Sequence, residues 1–121
     1  MKDFRRLLVW QKAHELTLSI YTSTKQFPSD ERFGLTSQMR RSSSSVPTNI
    51  SEGCGRDSDA EFKRFLQIAF ASASELDYKL ILALDLGFLT KELQGELQAK
   101  LIEVQKMLAA LIRKVRREFT S

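Results

Sequence analysis

The chain has 121 residues and a formal net charge of +4, from 19 basic and 15 acidic residues. This length predicts one domain with a single core, and 42% apolar with 28% charged residues excludes a mainly disordered chain. One cysteine and one histidine exclude an intramolecular disulfide and a Cys/His zinc site. Because no apolar run is long enough for a signal peptide or a membrane span, we expect a cytoplasmic protein with no membrane contact.

The first predicted helix covers about residues 8–25. It ends before Phe27-Pro28, because the residue before a proline is disfavoured in the helical conformation. Its apolar stripe repeats every three or four positions and consists of Val9, Ala13, Leu16 and Ile20, broadened by Trp10, Thr17 and Thr24.

The second predicted helix covers about residues 30–54, with Ser29 or Asp30 as its N-cap. The apolar phase continues on both sides of Pro47, which favours one kinked helix over two short ones. The hydroxyls of the serine run at 42–45 are placed to satisfy the backbone that the proline frees. A flexible serine linker is the alternative. Gly53 and Gly55 predict the helix end, because glycine readily adopts the left-handed conformation.

Two longer helices are predicted over about residues 59–86 and 91–117. Ser58 and Glu61 match a capping box at the start of the third helix, which continues to Gly87. Thr90 is placed to cap the fourth helix. The apolar residues of the fourth helix alternate steps of four and three, a heptad-like seam typical of nearly antiparallel packing.

These elements predict an all-α fold, an up-down-up-down antiparallel four-helix bundle forming a single domain over residues 1–121. Further apolar residues lie off the main stripes and predict a homo-oligomer, namely Phe70, Leu82, Ile102 and Ile112. A monomer is the alternative, because single exposed apolar residues are common.

A polar stripe follows the second helix at steps of three and four residues, and consists of Gln38, Arg41, Ser45, Asn49, Glu52 and Arg56. These side chains make directional hydrogen bonds, so we interpret the stripe as a network between helices or subunits. Glu52 is expected to pair with Arg56, and Arg41 to reach Glu75 on a neighbouring helix. The functional alternative is an anion-facing stripe in which Arg41 and Arg56 contact phosphate.

Basic residues supply the candidates for nucleic-acid binding, namely Arg41, Arg56, Lys63, Arg64, Arg113, Lys114, Arg116 and Arg117. Lys2, Arg5 and Arg6 add charge near the N-terminus. Cations near the end of a helix also offset its dipole, so the cluster at 113–117 has a purely stabilising alternative. No groove-reading motif is present, so phosphate contacts rather than base readout are expected.

The sequence does not indicate enzyme chemistry. A di-iron bundle needs a Glu-x-x-His motif on two helices, and His14 is the only histidine. Cys54 has no evident base, and the acidic residues at 57, 59 and 61 are explained by the positive end of the third helix. No glycine-rich loop has the lysine and spacing of a P-loop. We therefore expect no catalytic residues, no cofactor and no metal.

Several segments match one family in order along nearly the whole chain, namely residues 8–13 (LVWQKA), Phe27-Pro28, 34–41 (GLTSQMRR), 46–53 (VPTNISEG), Arg56, Phe65-Leu66 and Ser74-Glu75-Leu76. On these the chain resembles the four helix bundle protein family, also called intervening-sequence proteins because some are encoded in insertions within bacterial large-subunit ribosomal RNA genes. The resemblance implies a bundle that assembles as a pentamer. It also implies relatives, the accessory variability proteins of diversity-generating retroelements, that bind nucleic acid and a reverse transcriptase. The chain departs from the family at the serines 42–44, at Ser51 and at Ala71.

Together these observations predict a non-enzymatic, homo-oligomeric bundle that binds structured RNA or DNA through basic surfaces, as an accessory to a nucleic-acid enzyme. The alternative is a protein-interaction scaffold with no nucleic-acid role, in which the positive charge serves solubility.

Overall fold

Four α-helices and two short 3-10 turns make up the computed structural model, which describes the backbone of residues 2–120 and the side chains of residues 2–115. The helices are α1 (Leu8–Thr24), α2 (Leu35–Cys54), α3 (Asp59–Asp85) and α4 (Lys91–Thr120). The 3-10 turns are Phe4–Arg6 and Ser29–Glu31. The described backbone contains no β-strand, and the prediction of an all-α protein with four helices is confirmed.

Each helix packs against two others, in the closed order α1 to α2, α2 to α3, α3 to α4 and α4 to α1. This ring of contacts is consistent with a four-helix bundle. The hydrogen bonds between α1 and α2 join Thr17 to Ser43 and the later Thr24 to the earlier Arg40. This is the order that neighbouring antiparallel helices require, and the up-down-up-down topology itself stays a prediction.

The core is built from the apolar stripes that the sequence predicts. On α1 and α2 the stripe residues Val9, Ala13, Leu16, Ile20, Leu35, Met39, Val46 and Ile50 are buried. On α3 and α4 the buried set includes Phe62, Leu66, Leu76, Leu80, Leu97, Leu101, Val104 and Leu108. Burial of these side chains removes apolar surface from water along all four helices, which is the main favourable term for the bundle.

Helix α2 runs without interruption through Pro47, so the alternative of a flexible serine linker is wrong. Proline has no N–H, so the carbonyl of Ser43 four residues earlier loses its helical partner. The hydroxyl of Thr17 on α1 lies 3.0 Å from that carbonyl oxygen and 3.0 Å from the Ala13 carbonyl oxygen of its own helix, so the two carbonyls share its single proton. The second helix is therefore completed by a side chain from the first, and the predicted kink at Pro47 stays a prediction.

The serine hydroxyls do not take the role that the sequence predicts for them. Ser42, Ser43 and Ser44 each donate to the carbonyl three residues earlier, at 3.3, 3.0 and 3.2 Å, and Ser45 bonds to Ser72 on α3. A hydroxyl at these positions reaches back to the preceding turn of its own helix, so none of them bonds the freed Ser43 carbonyl.

The start of α2 lies five residues later than predicted. Ser29 and Asp30 belong to a separate 3-10 turn, and the N-cap position of α2 is Gly34. The first free amide, that of Leu35, donates instead to the Glu31 carboxylate at 3.0 Å. The predicted N-cap is therefore wrong, because a carboxylate from the preceding turn satisfies the helix start.

The glycines at the end of α2 also act differently from the prediction. Gly55 is the C-cap with φ −86, and Gly53 lies within the helix, so neither is left-handed. A Cβ at Gly53 would lie 2.9 Å from the Cβ of Phe65 and 3.1 Å from Cδ1 of Phe62. Glycine is needed at residue 53 because α3 passes too close for any side chain.

The left-handed glycine lies after α3 instead. Gly87 has φ +80, and the amide of Phe88 donates to the Ala83 carbonyl at 2.9 Å. This is the Schellman arrangement, which satisfies carbonyls at a helix end.

The predicted caps of α3 and α4 are present. The Ser58 hydroxyl accepts from the Glu61 amide at 3.2 Å, and the Thr90 hydroxyl accepts from the Leu93 amide at 3.2 Å. The reciprocal half of the capping box is absent among the described side chains, because the Glu61 carboxylate pairs with Arg64 at 3.6 Å instead.

Candidate nucleic-acid interface

Basic side chains from four separate segments meet at one end of the bundle. The chain start is fixed there by a backbone hydrogen bond of 3.0 Å from the Lys2 amide to the Cys54 carbonyl. The end of α2 contacts the first turns of α3 at Gly53, and α3 faces the last third of α4 across a groove lined by Gln67 and Ile112. We call this end the basic pole, defined by Lys2, Arg5, Arg6, Arg56, Lys63, Arg64, Arg113 and Lys114.

The excess positive charge is concentrated at the basic pole. Residues 2–6, 52–64 and 111–115 contain eight basic and five acidic residues, whereas residues 7–51 and 65–110 contain nine of each. Outside the basic pole the described charges therefore cancel in sum, with an excess of two basic residues in 7–51 and of two acidic residues in 65–110. A local excess of one sign raises the local concentration of polyanions and steers their approach.

Three cations of the basic pole lie over the rings of phenylalanines on α3. The Lys2 ammonium is 4.5 Å from the centre of the Phe62 ring, and the Arg56 and Arg64 guanidinium carbons are 4.7 and 5.3 Å from that of Phe65. Cation–π contacts of this kind hold the charge in place without neutralising it. Arg56 and Arg64 are thereby held on the same ring, no more than about 10 Å apart.

Some charges of the basic pole are paired and others are not. Asp3 lies 3.6 Å from Arg5 and 3.9 Å from Arg6, and these exposed pairs contribute little to stability. Among the described side chains, no carboxylate lies within 4.0 Å of the basic atoms of Arg56, Lys63, Arg113 or Lys114. Within the described side chains, those four charges have no partner that competes with an external anion.

Two of the predicted binding residues, Arg116 and Arg117, have side chains outside the described residues. Arg41 lies away from the basic pole. It lies thirteen residues before the end of α2 at Cys54, which corresponds to about 20 Å along the helix. Arg41 borders a different cavity, together with Arg32, Phe33 and Arg40.

The polar stripe on α2 forms a smaller network than predicted. The hydroxyls of Ser45 and Ser72 are 2.8 Å apart, and the Asn49 amide donates to the Ser45 carbonyl and hydroxyl at 2.8 and 3.0 Å. These bonds link α2 to α3, as the structural interpretation expects. Gln38 is half-buried, but none of the side-chain hydrogen bonds described in residues 2–115 involves it.

The two ion pairs predicted within the stripe are not formed among the described side chains. The Arg56 guanidinium lies over Phe65 rather than against Glu52. Arg41 and Glu75 are both exposed, where water solvates each charge and little is gained by pairing.

Arg40, which lies outside the polar stripe, makes the contacts that Arg41 lacks. Its Nε donates to the Thr24 hydroxyl at 2.9 Å and its Nη2 to the Tyr21 carbonyl at 3.3 Å, and its guanidinium lies 4.8 Å from the centre of the Tyr21 ring. Adjacent residues on a helix point about 100° apart, so only the rotation of α2 against α1 decides which arginine is bound.

Neither His14 nor Cys54 is arranged for catalysis. His14 is exposed and stacks on Trp10, with ring centres 5.2 Å apart and planes 10° apart. Cys54 is buried, as expected for a bystander thiol, and burial raises its pKa; the Lys2 charge lowers the pKa and the Asp3 charge raises it, both by less than burial does. A raised pKa keeps the thiol protonated near neutral pH, where it is a poor nucleophile.

An open apolar groove of about 460 Å³ runs between α1 and α2, lined by Phe4, Trp10, His14, Tyr21 and Pro47 among others. Of the apolar residues that predict an oligomer, Ile102 is exposed and Phe70, Leu82 and Ile112 are half-buried. None of the helices in the described part of the chain is both long and apolar enough to span a bilayer.

The fold and this charge distribution define a four-helix bundle protein whose excess positive charge lies at one end. The chain belongs to the family of 23S rRNA-intervening sequence proteins, whose family model matches residues 5–110. The family predicted from the sequence segments is therefore confirmed.

A solved structure supports the same conclusion. The chain is similar, at 28% identity and a TM-score of 0.79, to the crystal structure of a protein with unknown function from the S23 ribosomal protein family of Bacteroides thetaiotaomicron. The match covers 87% of this chain and 98% of that chain. No curated protein matches the chain. Neither the family description nor that of the solved structure names an enzyme activity.

Proposed function

We propose that this protein is a non-enzymatic nucleic-acid-binding bundle that holds structured RNA or DNA at its basic pole. The observation that carries the proposal is the charge distribution: the stretches that form the basic pole hold eight basic and five acidic residues, whereas the rest of the described side chains sum to zero net charge. Phosphate groups are the anions that a broad, exposed patch of arginine and lysine fits.

The binding is expected to be electrostatic and indifferent to sequence. The four cations lie on three separate segments, with Arg56 in the turn after α2, Lys63 in α3, and Arg113 and Lys114 in α4, rather than along one helix that could enter a groove. Contacts to phosphates fix position on a nucleic acid but carry no sequence information. An accessory role beside a nucleic-acid enzyme, such as a reverse transcriptase, needs only this kind of binding.

The test is a comparison of two triple variants with the same reduction of charge. The first, Lys63→Gln with Arg113→Gln and Lys114→Gln, removes three unpaired cations from the basic pole. The second, with glutamine at Lys79, Lys91 and Lys106, removes three from the balanced region as the matched control. Affinity for a labelled RNA hairpin is measured by fluorescence anisotropy across a salt series.

The wild-type protein should lose affinity steeply as salt rises, with a slope of about 0.9 in log–log form for each phosphate contact on a duplex. The basic-pole triple should flatten that slope by about one unit for each phosphate that is no longer neutralised, whereas the control should keep the wild-type slope. Absence of binding at low salt, or equally flattened slopes in the two triples, would refute the proposal.

The homo-oligomer is part of the proposal. Exposed apolar side chains such as Ile102, together with the groove between α1 and α2, favour association with further copies of the chain. Closed rings repeat each basic pole by symmetry and multiply the attraction for a polyanion, as in the pentamer implied by resemblance. Light scattering coupled to size-exclusion chromatography measures the subunit number. A monomer at all concentrations would refute the proposed homo-oligomer.

A second candidate function, a protein-interaction scaffold, is favoured by the same apolar groove. Phe4, Trp10 and Tyr21 present ring surface there rather than charge. Under this alternative, Trp10→Ala abolishes binding of a protein partner while the basic-pole triple has no phenotype. The hairpin assay therefore separates the two candidates.

A further inference from the structure

A second cavity, of about 500 Å³, lies at the junction of α1, the Ser29–Glu31 turn and the first half of α2. Its charged and aromatic lining consists of Tyr21, Arg32, Phe33, Arg40 and Arg41, completed by hydroxyl-bearing residues. We call these five residues the arginine–aromatic patch. Arginine combined with flat aromatic surface and hydroxyls is the combination that binds nucleotides.

Phe33 is the unusual member of the patch. Its side chain is 86% exposed, the highest value among the exposed large apolar residues. It lies in the turn between the 3-10 segment and α2, where the Arg32 guanidinium is 5.0 Å from its ring centre. A ring in this position contributes almost nothing to the core. The Arg32 guanidinium lies over one face, and the other face is open to a ligand.

The arginines of the patch are fixed to different degrees. Arg40 is held by Thr24 and Tyr21, and keeps further N–H groups for an external acceptor. Arg32 and Arg41 are exposed. Among the described side chains, none of the three is in an ion pair.

The nearest acidic residues in sequence do not neutralise the patch. The Glu31 carboxylate accepts from the Leu35 amide and is directed at the start of α2. Neither Asp30 nor Glu31 lines the cavity. An anion in the cavity would therefore meet three guanidinium groups without a competing carboxylate in its lining.

We infer that the arginine–aromatic patch binds an unpaired nucleotide of a single-stranded segment, with the base stacked on Phe33 and the adjoining phosphates contacted by Arg32, Arg40 and Arg41. A duplex is a poor ligand here, because its base faces are already stacked inside the helix. The site is distinct from the basic pole, because Arg41 lies about 20 Å along α2 from the helix end at Cys54. The inference rests on the proposed function only in taking nucleic acid as the ligand.

The experiment separates stacking from charge with two oligonucleotides. The first is a labelled eight-nucleotide adenine strand, and the second is the same strand with every base removed, which keeps the phosphates. Both are made with ribose and with deoxyribose, so that RNA and DNA are distinguished. Binding is measured by anisotropy for the wild-type protein, Phe33→Ala and Phe33→Trp.

A matched control comes from α3. Tyr78 is an exposed aromatic residue with the Lys79 ammonium 5.7 Å from its ring centre, outside the patch. Tyr78→Ala removes an aromatic side chain of similar size and surroundings. Helical content by circular dichroism and subunit number by light scattering are measured for every variant.

Phe33→Ala should weaken binding of the base-bearing strand about 5- to 100-fold and leave the abasic strand unchanged, because one stacked base is lost and no charge is removed. Phe33→Trp and Tyr78→Ala should bind both strands as the wild type does. Arg41→Gln should weaken both strands by a similar factor.

Equal effects of Phe33→Ala on the two strands, or no effect, would overturn the inference. A changed subunit number in Phe33→Ala would also overturn it, by assigning the ring to a contact between copies. Failure of the two proposals is distinguishable. If the protein binds the hairpin but does not prefer base-bearing over abasic strands, the proposal for the basic pole holds and the inference for the patch fails. If the protein prefers base-bearing strands but does not bind the hairpin, the inference for the patch holds and the proposal for the basic pole fails.

Discussion

The hydrogen bond from Thr17 to the Ser43 carbonyl gives a sharp test of how α2 tolerates a proline in its interior. Ser43 is fully buried and Thr17 is 8% exposed. In Thr17→Val the shape is kept but the hydroxyl proton that the Ser43 and Ala13 carbonyls share is lost. The Ala13 carbonyl keeps its amide partner within α1, whereas the carbonyl that Pro47 leaves free has no other partner among the described side chains. A buried unsatisfied acceptor typically costs about 1–3 kcal/mol, so we expect the free energy of unfolding to fall by that amount.

The control is Thr22→Val on the same helix. The Thr22 hydroxyl is exposed and donates only to the Leu18 carbonyl of its own helix, at 3.1 Å. That carbonyl keeps its helical amide partner, so this variant should change stability by less than about 0.5 kcal/mol. Urea unfolding followed by circular dichroism at one fixed protein concentration gives both values.

A double-mutant cycle with Pro47→Ala completes the test. Alanine restores an N–H at residue 47, which donates to Ser43 and makes the Thr17 hydroxyl dispensable. In this background the cost of Thr17→Val should fall to that of the Thr22 control, a coupling of about 1–2 kcal/mol. Equal costs of Thr17→Val with proline and with alanine would show that the bond does not compensate for the proline.

Three further predictions concern the glycines and the thiol. Gly53→Ala should lower the free energy of unfolding by about 1–3 kcal/mol, because the new methyl meets the phenylalanines of α3. Gly95→Ala, at a helical site where a Cβ has nothing within 4 Å, should raise the free energy of unfolding by about 0.5–1 kcal/mol. A change of the same sign in both variants would contradict the close approach of α3 to Gly53. Gly87→Ala should cost about 1 kcal/mol, since φ is +80 there, and an unchanged melting temperature would argue against the left-handed turn. Burial raises the pKa of the Cys54 thiol, so the stability that the protonated thiol contributes is complete below the unfolded thiol's pKa of about 8.5 and is lost as pH rises through the folded value. The urea midpoint should therefore fall more steeply at alkaline pH in the wild type than in Cys54→Ala. Parallel curves for the two proteins would refute this prediction.

The sequence predicts the parts of the fold that depend on local periodicity. Helix existence and core stripes follow from spacing alone, because an amphipathic helix has to bury its apolar side whatever its partners are. The capping residues Ser58 and Thr90 were predictable for the same reason, since each acts within four residues of its own position.

Contacts between distant segments were not predictable in this way. The bond from Thr17 to Ser43 joins residues 26 positions apart, and nothing in the serine run indicates a donor on another helix. Likewise, whether Arg40 or Arg41 is bound depends on the rotation of α2 against α1. The need for glycine at residue 53 depends on how close α3 passes, which no single helix reveals.

The candidate interface was predictable in its members more than in its geometry. Most residues of the basic pole stand out as basic clusters, but only the packing shows that the chain start, the end of α2 and the two longest helices share one end. Phe33 could have been noticed as an aromatic residue outside every apolar stripe, beside Arg32 and before Gly34. Its exposure was the missing information.

The backbone bond that joins Lys2 to Cys54 makes the single thiol a built-in reporter of local opening. The segment ahead of α1 passes beside Cys54, so a thiol reagent gains access either when that segment lifts away or when the whole bundle opens. The two routes differ in their sensitivity to denaturant, because lifting a few residues exposes far less surface than complete unfolding. Rates of Cys54 labelling measured across dilute urea would therefore distinguish the detachment of the first residues from the opening of the helices.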